Sequence, residues 1–287
     1  MKFSSIASGL ALASAAVAVP SSNYAVAKLT AKLPTTTVAG VEVVDTPIVR
    51  AARTFIETYY KDYQPYLTNH LYRTWLFGAA AINSNATLKA SLDLEVHAVG
   101  CMLHDLGWDI KPHSPYTTAG YTFEVDSGRF AMDWIKNWTA VNGGAADWDE
   151  VRLQKVNLGI MLQTFIGGTD FTFADSMWIT KSVGFEFPVP ESPMIGATNY
   201  NNIWKAYSNS TLFRGTNYTF TNMAVYKPAA TYTTFISDFG NSYVKGYSNA
   251  GHRLFDLIQS GLKGEVAEYP NVPFVQKIPS NGGNPLM

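Results

Sequence analysis

An all-α fold in a single domain is what this sequence predicts, and three observations predict it. Apolar residues recur at three- and four-residue spacing through most of the chain, the period of an amphipathic helix. No stretch keeps up the alternation of a half-buried strand, and no internal repeat is present. The 287 residues are 47% hydrophobic and only 15% charged, enough for one sizeable core under a weakly charged surface. Cys101 is the only cysteine, so no disulfide forms within the chain and the core alone must hold it together.

In chain order, residues 1–18 read as a secretory signal. Lys2 gives a short positive start, Ile6 to Val19 is small and apolar but too short to span a bilayer, and Ala16-Val17-Ala18 has the small-x-small form of a cleavage site. Residues 19–46 are rich in Thr, Ser and Pro without helical period, and read as an N-terminal arm. Pro47 suits a first helical turn, and Ile48, Ala52, Phe55, Ile56 and Tyr59 follow as one apolar face. A second helix is expected from about Thr68 and a third from about Thr87 to His104, with Leu88, Leu92, Val96, Val99 and Leu103 along one side. A fourth covers 124–138, a fifth 148–166, and a further helical segment 176–184 precedes the break at Pro188, Pro190 and Pro193. Shorter helices follow, the last over 250–262. The helical domain is expected over 47–264, and the Pro-, Gly- and Asn-rich tail, 265–287, is expected to be irregular.

Formal net charge is -1 and no Lys/Arg run occurs, which argues against nucleic acid or an anionic membrane as partner. Asn85, Asn137, Asn209 and Asn217 each begin an Asn-x-Thr glycosylation sequon. With the leader, they predict a secreted, extracellular glycoprotein.

Chemistry gathers in "CMLHDLGW", residues 101–108. His104 and Asp105 end an apolar run, and His70 lies 34 residues upstream on the preceding helix. An antiparallel helix pair would bring the three together. Imidazole and carboxylate groups suit one divalent metal, zinc ahead of iron. His97, about 10.5 Å along the helix from His104, is too far to share that metal and reads as a buried, hydrogen-bonded histidine. His113 reads as a surface-loop residue and His252 as structural. Cys101 reads as a buried small hydrophobe rather than a nucleophile.

The His…His-Asp pattern on consecutive helices resembles the HD-domain superfamily of metal-dependent enzymes. Three blocks in order narrow the resemblance to its cyanamide hydratase-like group: "NHLYRTWLFGAAAI", "LEVHAVGCMLHDLGW" and "YTFEVDSGRFAMDWI". The resemblance covers roughly residues 47 to 190. It implies an HD-type helical bundle with His70, His104 and Asp105 as metal ligands and a later carboxylate as the fourth. Glu186 in "GFEF" is preferred for that place, with Asp170 in "GGTDF" as the alternative. Asp105 and Glu124 are the catalytic candidates, Glu124 acting beside the ligands or in proton transfer, against a plain role as a helix N-terminal acid. Arg73, three residues after His70, either orients a carboxylate or pairs at the surface.

The chain also departs from the family. Gln163-Thr164 stands where the group has His-Thr, and Glu186 where it has Asp. Three functions are therefore carried. The first is a metal-dependent hydratase or hydrolase adding water to a small neutral molecule, cyanamide or nitrile-like. The second is a metal-dependent phosphohydrolase, although Trp108 stands where many of these carry Lys. The third is a non-catalytic binding protein, expected to take first place should neither Glu186 nor Asp170 join the other ligands. Trp75 and Trp108 fit an apolar pocket, though core packing accounts for most of the aromatic content. Oligomeric state is left open.

Overall fold

The computed structural model describes residues 33–165, 167–187 and 193–271. The expected signal, 1–18, and most of the tail lie outside the described residues. The molecule is mostly helical, as the apolar periodicity predicts.

The first element among the described residues departs from the sequence reading. Within the expected arm, β1 (Thr35–Val38) and β2 (Val41–Val44) pair antiparallel, with Thr35 opposite Val44 and Val38 opposite Val41. Ala39 and Gly40 both have positive φ, 48° and 83°, as a two-residue hairpin turn with matching twist requires. Val41, Val43 and Val44 are buried, so the hairpin is part of the core.

Helix α1 (Pro47–Tyr60) follows, burying Ile48, Val49, Ala52, Ile56 and Tyr60. Helix α2 (Pro65–Asn83) starts one turn earlier than expected, at Pro65, where a missing N–H costs nothing. From Leu71 to Ile82 every residue of α2 is buried, so it runs through the centre.

The single helix expected from Thr87 to His104 is two. Short α3 (Ala86–Ser91) is capped by Asn85, and α4 (Leu94–Leu103) restarts after Leu92 and Asp93. Asp93 caps α4 by accepting from the Glu95 and Val96 amides, a local hydrogen bond that competes with helix continuation. A 3₁₀ turn, Leu106–Trp108, follows.

Helices α5 (Phe123–Asn142), α6 (Glu150–Met161) and α7 (Ala174–Gly184) pack in sequence against one another, and α6 and α7 also pack on α4. Helices α8 (Ala197–Ala206) and α9 (Leu212–Tyr226) cover α2, and α10 (Ile236–Tyr243) packs on α9. Helix α11 (Leu254–Glu268) extends past the expected domain limit of 264 and has no buried residue. No helix among the described residues is long and apolar enough to cross a membrane.

The close approach of α2, α4 and α7 rests on two glycines. A Cβ on Gly78 would stand 2.0 Å from Ser182 Oγ and 2.6 Å from His97 Nε2. One on Gly100 would stand 2.4 Å from Ile179 Cδ1.

Candidate metal centre

Two neighbours in a helix point about 100° apart, so His104 and Asp105 would not meet if the helix continued. It does not continue. His104 keeps helical angles, whereas Asp105 turns out of the helix at φ -117°, ψ 32°. The carboxylate then folds back to its neighbour's ring, with Asp105 Oδ2 3.1 Å from His104 Nε2. Gly107 permits this turn, because a Cβ there would lie 2.4 Å from the Phe123 carbonyl oxygen. Its amide donates to Ser127 Oγ at 2.8 Å, fixing the turn against α5.

His70 reaches the same point from α2. Its Nε2 lies 3.0 Å from His104 Nε2 and 3.0 Å from Asp105 Oδ2. All three side chains are buried, with relative exposures of 0%, 0% and 1% for His70, His104 and Asp105. They form a group able to hold a metal ion.

The far side of each imidazole fixes what faces inward. His104 Nδ1 sits 2.7 Å from the Cys101 carbonyl oxygen, which only accepts, so Nδ1 donates there and Nε2 is the nitrogen that faces the other two side chains. His70 Nδ1 donates to Glu186 Oε2 at 2.8 Å. Two imidazole nitrogens and a carboxylate oxygen thus converge at 3.0–3.1 Å. Burial opposes charge on His70, but Glu186 and Asp105 outweigh it and carry its pKa up to about 9. Burial likewise opposes the charge of Asp105, and His104 and His70 outweigh it, holding the carboxyl below its usual range.

Glu186 is in the site, but not where the sequence reading put it. It sits on the outer nitrogen of His70 rather than with the three converging atoms, outside the group they make. The end of α7 brings residue 186 up behind α2, and the longer Glu side chain there meets Nδ1. The converging group among the described residues is therefore three side chains. Asp170 is solvent-exposed in the turn before α7 and is not part of the converging group. Arg73 is fully buried and pairs with Glu186 Oε1, so it orients a carboxylate rather than decorating the surface. Its Nη1 donates to the carbonyls of Tyr207 and Ser208, at 3.1 and 2.7 Å, tying the centre to the segment after α8.

Glu124 lies in the first turn of α5, buried, with Oε1 accepting from Thr164 Oγ1 at 2.6 Å. Its other oxygen, Oε2, is buried without a hydrogen-bond partner. Gln163, beside Thr164, donates to the His104 carbonyl at 3.1 Å, so it holds the dyad through the backbone instead of contributing an imidazole. Trp108 stacks on His70 with ring centroids 5.5 Å apart and planes 10° from parallel, and Phe187 lies against the same imidazole. The buried Trp108 indole N–H also has no partner.

Gln64 has no part in the sequence reading, yet it shapes the site. Buried before α2, it donates to the Trp108 carbonyl at 3.0 Å and accepts from the Ile110 amide at 3.1 Å. Nothing in its sequence position signals this. Phe187 is equally silent, whereas the Cys101 carbonyl could have been found, since it lies one helical turn before His104.

The other histidines stand apart from the centre. His97 is buried, bonds Ser182 Oγ at 2.9 Å, and is pushed by burial to a pKa of about 4. His113 is exposed in its loop, and His252 stacks on Tyr232 at 4.2 Å. Cys101 is buried, and burial raises its thiol pKa far from reactivity. Trp75 is core, packed near Tyr72.

No family model matches this chain, and no curated protein shows significant similarity to it.

Proposed function

We propose that this chain is a metal-dependent hydratase or hydrolase acting on a small neutral molecule, with one divalent ion held by His70, His104 and Asp105. The observation that supports it is the convergence of three buried ligand atoms, each imidazole held from behind so that Nε2 turns inward. Metal–ligand bonds are about 2 Å, so ligand atoms about 3 Å apart suit a shared ion. Three protein ligands with an imidazole backed by a carboxylate match the open, catalytic kind of zinc site better than the closed structural kind. When bound, such an ion supplies Lewis acidity and a water of lowered pKa.

The chain's own groups do the rest. Glu186, held by Arg73, and the Cys101 carbonyl keep the two imidazoles in place. Trp108 and Phe187 keep bulk water from His70. Glu124 keeps one carboxylate oxygen unengaged in a buried setting, suited to take or return a proton. The HD-type resemblance extends this reading to cyanamide or a nitrile as substrate and to zinc ahead of iron as metal. Arg73 is committed to Glu186 and two carbonyls, so nothing here favours a phosphate ester.

One observation favours a second reading, a non-catalytic binding protein on the same fold. The three ligands are almost completely enclosed. A second observation also favours it: neither Glu186 nor Asp170 joins the three, the condition set from the sequence for placing this reading first. It is kept second because Glu186 still holds His70 from behind.

The test is zinc- or iron-reconstituted protein with cyanamide, following urea release. Metal-dependent urea release that disappears in His104→Ala supports the proposal. Loaded protein that turns over neither cyanamide nor simple nitriles favours the binding reading.

A further inference from the structure

His70, His104 and Asp105 are buried, so anything that reacts among them must first pass a wall that moves. Much of the wall is fixed. The Cys101 carbonyl backs His104, Glu186 and buried Arg73 back His70, and the Trp108 ring over His70 is itself buried. Gln163 and Phe187, which also touch this group, are only half-buried.

Gln163 Nε2 donates to the His104 carbonyl at 3.1 Å and stands 3.5 Å from Asp105 Oδ1, the oxygen that the histidines do not engage. A carbonyl only accepts, so the nitrogen end of the carboxamide must face inward. The other end, Oε1, has no hydrogen-bond partner among the described residues and is not buried, so it meets solvent. One planar carboxamide thus stands between Asp105 and bulk water. The next residue repeats the pattern. Thr164 is exposed, and its Oγ1 donates to buried Glu124 at 2.6 Å. Asp105 and Glu124, the two acids that the proposed function uses, each lie one side chain from solvent behind the same turn after α6.

The turn can release Gln163 cheaply. Its backbone is held by its own bonds, Gln163 N to the Ile160 carbonyl at 3.3 Å and Phe165 N to the Leu162 carbonyl at 3.0 Å, so the side chain can swing without breaking them. Phe187 is held differently. Its ring lies against His70 and against Phe213, with centroids 5.5 and 6.4 Å away, and moving it would strip apolar contact on both sides.

We infer that Gln163 is the gate of the candidate metal centre. Its side chain swings outward, gives up His104 and Asp105, and lets water or substrate into the space that the carboxamide occupied. What enters rests on the proposed function, whereas the gate is a property of the metal-free chain. The opening has the section of a carboxamide, which suits cyanamide or urea and excludes a nucleotide-sized phosphate ester.

Exchange of the imidazole C2 hydrogen for deuterium, read by peptide mass spectrometry on the metal-free full chain, tests the gate without metal or turnover. Rates are compared on the plateau above the imidazole pKa, so that a shifted pKa is not read as access. One hydrogen bond holding a gate shut corresponds to about five- to tenfold in its opening equilibrium. Gln163→Ala should therefore speed exchange at His104 by about that factor. Gln163→Asn, whose shorter carboxamide falls short of the dyad, should act in the same direction with less disturbance. His97, buried where α4 meets α7, should keep the parent's rate, which separates an opened gate from a loosened bundle. Phe187→Ala should leave His104 near the parent's rate. An unchanged His104 rate in both Gln163 variants, a rise shared by His97, or a larger rise in Phe187→Ala would overturn the proposal. A parent that binds no zinc would overturn the proposed function and not the gate.

Discussion

His70 uses both ring nitrogens, one toward Asp105 and His104, the other toward Glu186. Glu186 is therefore expected to position His70. Glu186→Gln keeps the volume but removes the charge behind the imidazole. Metal affinity should fall by roughly 10–100-fold in a competition titration, with the circular dichroism unchanged. Arg73→Ala should act differently, because it leaves Glu186 buried without its cation. Such a loss costs about 3–5 kcal/mol, read as a lowered denaturation midpoint. At this scale the sequence was informative about chemistry and silent about sides. His70, His104 and Asp105 were legible because their residue types and helical spacing already suggest a shared ligand point. The place of Glu186 behind His70 depends on how α7 approaches α2, which no local pattern encodes.

Asp93 shows the same limit for an element. The apolar period runs unbroken from Leu88 to Leu103, so the sequence reads as one helix, and a single side chain divides it. "SLDLE" does contain the signature of a restart, an Asp followed by an acidic first turn. Its carboxylate also pairs with Arg152 Nε at 2.8 Å, linking the start of α4 to α6, and Arg152 reaches Glu95 at 2.7 Å. Burial opposes the charge of Asp93, but Arg152 outweighs it and holds the carboxyl below its ordinary value of 3.8. A carboxyl with a depressed folded pKa stabilises the protein above its unfolded pKa and loses that contribution as pH falls through the folded one. Asp93→Asn retains a good cap and removes the charge. It should cost about 1–3 kcal/mol in chemical denaturation at pH 7, and the difference from the parent should shrink as pH falls below 3.8. The hairpin is the other missed element. "TTTVAGVEVV" offers β-branched residues around a two-residue turn, but each strand is only four residues long, too short for alternation to stand out.

Across the whole molecule, α2 and α4 are buried on every side, and α7 lies close against both. Gly78→Ala would drive a methyl into Ser182 and His97, so a loss of about 1–3 kcal/mol is expected in thermal unfolding. The all-α class was legible because periodicity is spread over many residues and survives errors at any one boundary. Which helix lies at the centre was not read from the sequence, because burial of α2 on every side depends on how the other helices pack around it. The surface bears on the proposed secretion. Asn85 and Asn209 are exposed in connections, whereas Asn137 and Asn217 lie within helices whose sequon threonines, Thr139 and Thr219, are buried. If the protein is glycosylated in its native host, deglycosylation with peptide mapping should find glycan at Asn85 and Asn209 and none at the other two.

The central claim is that His70, His104 and Asp105 hold one metal ion. Chelator-stripped protein titrated with zinc at neutral pH, followed by elemental analysis after gel filtration, tests it most directly. One ion per chain should remain with the parent and none with His104→Ala, which keeps its helical circular dichroism. Equal retention by the two proteins, or no retention of zinc or iron by the parent, would contradict it.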